Sequence, residues 1–145
     1  MRSIVVCLAV AASLAACDTT RPVSDADRAA LEAHETQWGE RDFHSYEFDY
    51  SESQLSTNYN VHITVTNDTV SNVIDKNTGQ PPAVPRSWPT IDALFNQADF
   101  AVQEGDISVS LEYDEQYGYP TLISFTDSSP GGGFLARISN LQPLP

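Results

Sequence analysis

The chain predicts an α+β domain in which an antiparallel sheet of about five strands carries two helices packed on one face. Three observations carry that prediction. Two stretches repeat apolar residues at helical spacing, several shorter runs alternate apolar with polar residues as half-buried strands do, and turn-forming residues separate them. Helices lying between groups of antiparallel strands belong to the α+β class. The expected order is α-β-β-β-α-β-β, with a candidate for a further strand at the end, all in one domain spanning 25–145.

The first helix is expected from about Asp25 to Arg41. Ser24 can offer its hydroxyl to the unpaired amides of the first turn, and Asp25 and Asp27 suit the positive end of the helix dipole. Ala30, Leu31, His34 and Trp38 then share a face, opposite Arg28, Glu32, Glu35 and Glu40. From Phe43 to Glu52, Tyr46, Phe48 and Tyr50 alternate with Glu47 and Asp49, which reads as a strand with aromatics inside and acids outside. Tyr59, Val61, Ile63 and Val65 form a second alternating run and Thr69 to Asp75 a third, joined at Asn67-Asp68 as a hairpin. Lys76 to Pro89 contains Gly79, Pro81, Pro82, Pro85 and Pro89, so it is the main surface loop. Thr90 then fits a helix cap, Ile91, Leu94, Phe95, Ala98 and Val102 form one apolar stripe, and Gly105 marks the stop. Ile107 to Tyr113 alternates again, Asp114 to Gly118 turns, and Tyr119 to Thr126 returns, with Pro120 suited to a strand start. Beyond a loop from Ser128 to Gly133, Phe134 to Leu141 is the candidate last strand.

Ahead of this domain, Met1-Arg2-Ser3 leads into an apolar stretch that closes with small residues before Cys17, and Asp18 to Pro22 is abruptly polar. That is the layout of a secretory signal peptide, and at 13 residues Ile4 to Ala16 falls short of the roughly 20 that a spanning helix needs. Leu14-Ala15-Ala16-Cys17 resembles the lipobox of bacterial lipoproteins. The resemblance implies removal of residues 1–16 by cleavage between Ala16 and Cys17, a diacylglycerol on the Cys17 sulfur, and an acyl chain such as palmitate on the freed amine. Several chains are needed because one binds a bilayer only marginally. Residues 17–24 would then be the lipidated cysteine and a short tether, facing the periplasm. Asp18 resembles the inner-membrane retention signal of enteric bacteria, and the choice between inner and outer membrane stays open.

Cutting before Cys17 removes 16 of 145 residues, leaving 129, and takes Arg2 with them, moving the net charge from −13 to −14. One core is expected at that length. Cys7 is discarded and Cys17 lipidated, so the mature domain keeps no thiol for a disulfide or metal. Lys76 and Arg21, Arg28, Arg41, Arg86 and Arg137 are scattered singly among 20 acidic residues, which excludes nucleic acid as a partner. The acidic surface also means that membrane attachment rests on lipid and not on a basic patch.

Trp38 followed by Tyr46-Glu47-Phe48, the Val-rich hairpin, Thr90 to Phe95, and above all Glu112-Tyr113-Asp114-Glu115-Gln116-Tyr117-Gly118-Tyr119-Pro120 together resemble the DUF6174 family of small bacterial lipoproteins. The resemblance covers most of the mature chain and implies no assigned activity. The chain departs from it in lacking paired cysteines near the first hairpin.

Chemistry-bearing motifs are sparse. His34, His44 and His62 lack the spacing of a zinc site and have no cysteine to complete one, so each is expected at the surface or in packing, with no metal and no cofactor. No serine sits in a nucleophile elbow. Asp25/Asp27 suit a helix start and Asp114/Glu115 a turn, Gly131-Gly132-Gly133 lacks the Lys-Ser/Thr of a phosphate loop, and Asp114, Glu115 and Asp127 lack calcium-loop spacing. For recognition the candidates are aromatic: Trp88 beside the proline-rich loop, and Tyr117 and Tyr119 in the turn, for each of which packing over the core is the competing role. The expected function is a non-enzymatic, membrane-anchored envelope lipoprotein that binds or organises another envelope component. The alternatives are a protein inhibitor of a hydrolase presenting the 113–120 hairpin, and an enzyme with an unrecognised site.

Overall fold

The computed structural model describes residues 23–104, 108–126 and 133–145. The readings on the signal segment 1–16, on Cys17 and Asp18, on Gly105 and on 127–132 lie outside them. Helix α1 spans Asp25–Gly39 and α2 Ile91–Gln103. The Ser24 hydroxyl accepts the Asp27 N–H at 3.3 Å while the Asp27 carboxylate accepts the Ser24 N–H at 2.8 Å, a reciprocal cap. The Thr90 hydroxyl likewise accepts the Ala93 N–H, at 3.2 Å. Helix α1 stops two residues before the expected Arg41, whose guanidinium instead folds back 4.1 Å over the Trp38 ring and donates to its carbonyl at 3.0 Å.

The strands are β1 (Tyr46–Gln54), β2 (Thr57–Thr66), β3 (Thr69–Asp75), β4 (Ser108–Tyr113), β5 (Pro120–Thr126) and β6 (Gly133–Pro143). They form one antiparallel sheet in the order β3-β2-β1-β6-β5-β4. The α+β class therefore holds, but the strand count is six rather than about five. The candidate last strand is real, and it lies at the centre of the sheet, joining two α-β-β-β halves through β1 and β6. Its alternation is weak in sequence because Ala136 is small and the pattern breaks at Asn140, which has φ 54° where β6 carries one more residue than β1 between the Glu47 and Asp49 positions. At the β2–β3 turn both Asn67 and Asp68 have positive φ, 49° and 57°, as a tight twisted hairpin requires.

One face of the sheet is buried by Tyr46, Phe48 and Tyr50 of β1, Val61, Ile63 and Val65 of β2, and Ala136 and Ile138 of β6. Both helices cover that face. Trp38 of α1 stands edge-on to Tyr46 at 5.3 Å, and the Ile91 N–H at the start of α2 donates to the Tyr46 hydroxyl at 3.2 Å. Burial, opposed in part by that Ile91 N–H, pushes the hydroxyl up to about 12. The helices run antiparallel: Trp38 Nε1 donates to Asp92 at 3.3 Å, while Leu31 and Val102 line one groove farther along.

This arrangement gives the domain two ends. At the first lie the β1–β2 turn, the last turn of α2 and the start of α1, and β3 runs toward it, ending level with Val61 and Tyr50. At the second lie the β2–β3 and β4–β5 turns and the start of α2.

Candidate functional site

The face of the sheet turned away from the helices is polar, because period-two alternation places Glu47, Asp49 and Ser51 opposite the aromatics of β1. Register aligns Asp49 with His62 and Ser139, and Ser51 with Asn60 and Arg137. Asp49, Ser51, Asn60, Arg137 and Ser139, together with Lys76, Glu112 and Thr121, line a shallow depression of about 340 Å³. At its centre, Asp49 receives three side chains: Lys76 Nζ at 2.5 Å, Asn140 Nδ2 at 2.8 Å and His62 Nδ1 at 3.0 Å. Partial burial raises the Asp49 carboxyl, but the hydrogen bonds from Lys76, Asn140 and His62 outweigh it and hold the group at about 2. His62 Nε2 also lies 3.4 Å from Glu47. The bulge that weakened the sequence signal of β6 is what aims Asn140 at Asp49.

Around this fixed ion cluster, Ser51, Arg137, Ser139 and Glu112 point into the depression, with Arg137 and Glu112 exposed. The arrangement can hold a polar partner between a cation and an anion, presented on a rigid sheet. Among the described residues no group of three His, Cys, Asp or Glu side chains is placed to hold a metal ion. A second depression, about 360 Å³, runs between the helices over Leu31 and Val102 and is flanked by Arg28, Glu32, Glu35 and Asp99. It has no comparable convergence of hydrogen-bonded groups.

A different cluster fastens the proline-rich loop. Glu52, 6% exposed on the helix-covered face, accepts both ends of the Arg86 guanidinium at 3.0 Å and the Tyr50 hydroxyl at 2.7 Å. Arg86 in turn sits over the rings of Tyr59 and Trp88, at 4.6 and 4.8 Å. Burial and the Glu52 contact both raise the Tyr50 hydroxyl, and the hydrogen bond to Glu52 raises the guanidinium of Arg86.

Trp88 is thus half-buried, edge-on to Tyr59 at 5.3 Å and under Arg86. Tyr119, 6% exposed, packs edge-on toward Trp38 at 6.4 Å. Tyr117, half-buried, meets Phe43 at 5.3 Å. The turn that carries both tyrosines is docked on α1: Gln37 Nε2 donates to the carbonyls of Glu115 and Gln116, and Asp114 accepts the N–H groups of Gln116 and Tyr117. His34 stacks on Tyr113 at 4.0 Å, and His44 pairs with Asp68 at 2.7 Å.

Residues 30–130 match the model of a family described as a family of unknown function, DUF6174. The chain belongs to that family. The matched stretch of the DUF6174 domain contains Asp49, His62 and Lys76, the Glu52–Arg86 cluster and the 113–120 hairpin, whose sequence had pointed to the family; β6, with Arg137 and Asn140, follows it. No curated protein and no solved structure matches the chain.

Sequence reasoning did not find the Asp49 cluster. Asp49 read as one of several outward acids, and its partners come from β2, from just past β3 and from β6. The one available signal was that Lys76 is the only lysine in the chain.

Proposed function

We propose that this DUF6174 chain is a non-enzymatic lipoprotein of the bacterial cell envelope, anchored through an acylated Cys17, which binds another envelope component at the open face of its sheet. The observation that carries the binding half is the depression around Asp49. A preformed ion cluster on a sheet face costs little to reorganise when a partner arrives, and Arg137 and Glu112 beside it supply charge of both signs for orientation. The address rests on Leu14 to Cys17. Among the described residues no helix is long and apolar enough to cross a membrane, so in this reading attachment belongs to the lipid.

The hydrolase-inhibitor reading draws less support, since the rings it would present, Tyr117 and Tyr119, are turned onto Phe43 and Trp38. A photo-crosslinker at Ser51, compared with one at Glu32 on α1, tests the binding half in cells. A defined adduct is expected at Ser51 only, and it should disappear when Arg137→Glu is introduced alongside. Equal labelling from both positions, or an adduct indifferent to Arg137→Glu, contradicts the proposal.

A further inference from the structure

Three large apolar side chains stand exposed among the described residues: Leu55 at 75%, Phe100 at 65% and Val84 at 60%. All three belong to the first end of the domain, where Val23 leads into α1. Leu55 lies in the β1–β2 turn. Val84 lies in the loop that follows β3, two residues before the Arg86 that clamps Glu52, and Glu52 is two register positions from the turn. Phe100 is in the last turn of α2, whose Asp99, Val102 and Gln103 face Arg28 and Leu31 of α1. The second end instead gathers Arg41, Asp68, Asp92, Asp114 and Glu115. Single exposed apolar residues are ordinary, but here the distribution is polarised along the molecule. Leu55 adds a second observation: it holds φ 53°, where a leucine is strained and a glycine or asparagine is not, so the turn itself gives no reason for leucine there.

We infer that this end docks on a zwitterionic lipid bilayer, with Leu55, Val84 and Phe100 entering the headgroup region. The inference rests on the proposed anchoring at Cys17. Residues 18–22 separate that cysteine from Val23, a reach of about 20 Å at full extension. The end that carries Val23 is therefore the end held at the membrane. Asp25, Asp99 and Glu104 lie at the same end, so it fits a surface without net negative charge better than an anionic one. The strands then stand away from the bilayer, and the open sheet face around Asp49 remains in water.

Tryptophan placed at the two ends tests the docking. Full-length chain carrying Leu55→Trp, Phe100→Trp or, at the opposite end, Glu115→Trp is purified from its membranes and reconstituted in phosphatidylcholine vesicles with brominated acyl chains. The added emission at positions 55 and 100 should shift to shorter wavelength and lose intensity to the bromines, that at 115 should do neither, and anionic lipid should weaken both effects. Water-like emission from all three positions while the protein floats with the vesicles overturns the inference. So does protection of position 55 without bromine quenching in a chain that cross-links as a dimer, which would make a second copy the occupant. If the protein does not float, the anchoring reading has failed instead. Coupling Cys17 to a maleimide lipid in a chain that also carries Cys7→Ser, so that Cys17 is the one thiol, then restores attachment, and the same spectra test the docking alone.

Discussion

Asp49 and Glu52 lie three residues apart on β1 and face opposite sides of the sheet, yet each is held by a cation from a later part of the chain. They differ in burial, and so in what losing a partner costs. Arg86→Met would leave the Glu52 carboxylate, 6% exposed, with only the Tyr50 hydroxyl, and should destabilise the domain by about 3 kcal/mol in urea unfolding. Arg86→Lys should recover little of this, because an ammonium cannot reproduce the two-pronged contact or the stacking on Tyr59 and Trp88. For Asp49 the signature is pH dependence. Its carboxyl is held at about 2 in the folded chain against an ordinary 3.8, so the folded state favours the charged form. That stabilisation is fully present above pH 3.8 and is lost as the pH falls toward 2. Wild type should therefore exceed Asp49→Asn in unfolding free energy by on the order of 2 kcal/mol near pH 6. The gap should close over that acid range. A gap that persists at pH 2 would contradict the assignment.

At the scale of elements, the β4–β5 turn shows how tightly the chain is closed onto α1. Gly118 has φ 79°, and a Cβ there would lie 2.8 Å from the carbonyl oxygen of His34. Gly79, at φ 70°, has nothing within 4 Å of that position. Both alanine variants carry the backbone strain, about 1 kcal/mol, but only Gly118→Ala also collides with a helix backbone and should cost about 3 kcal/mol. Thermal unfolding of the pair separates the two effects, and amide exchange should show the 114–118 turn lifting from α1 in Gly118→Ala alone. This turn was legible in sequence because its signals are local: glycine, proline and an acid that caps its own neighbours. The two helices, with Ser24 and Thr90 as caps, and strands β1 to β5 were legible for the same reason. The sixth strand was only a candidate because its place is decided by pairing with β1, far away in sequence, and because a small residue and a bulge blur its alternation. The Asp49 cluster was hidden by the same non-locality: no spacing in the chain announces that Lys76 and Asn140 will meet one carboxylate.

At the scale of the whole molecule, the sheet has a covered face and a polar open one, and the exposed large apolar side chains among the described residues lie toward one end. The covered face is the core, with Trp38, Tyr46, Phe48 and Phe95 among its largest fully buried side chains. In the proposed reading the open face meets an envelope component and the end carrying Leu55, Val84 and Phe100 meets the bilayer, and one orientation serves both if the chain is tethered just before α1. Everything about that orientation depends on Cys17. The most direct test is the intact mass of the protein extracted from its own membranes, beside a Cys17→Ser variant. The expected result is a chain beginning at Cys17 with the added mass of a diacylglycerol, with or without a further acyl chain, and a variant that is neither cut nor acylated. A wild-type chain found outside the membrane fraction with a free Cys17 thiol would contradict the account.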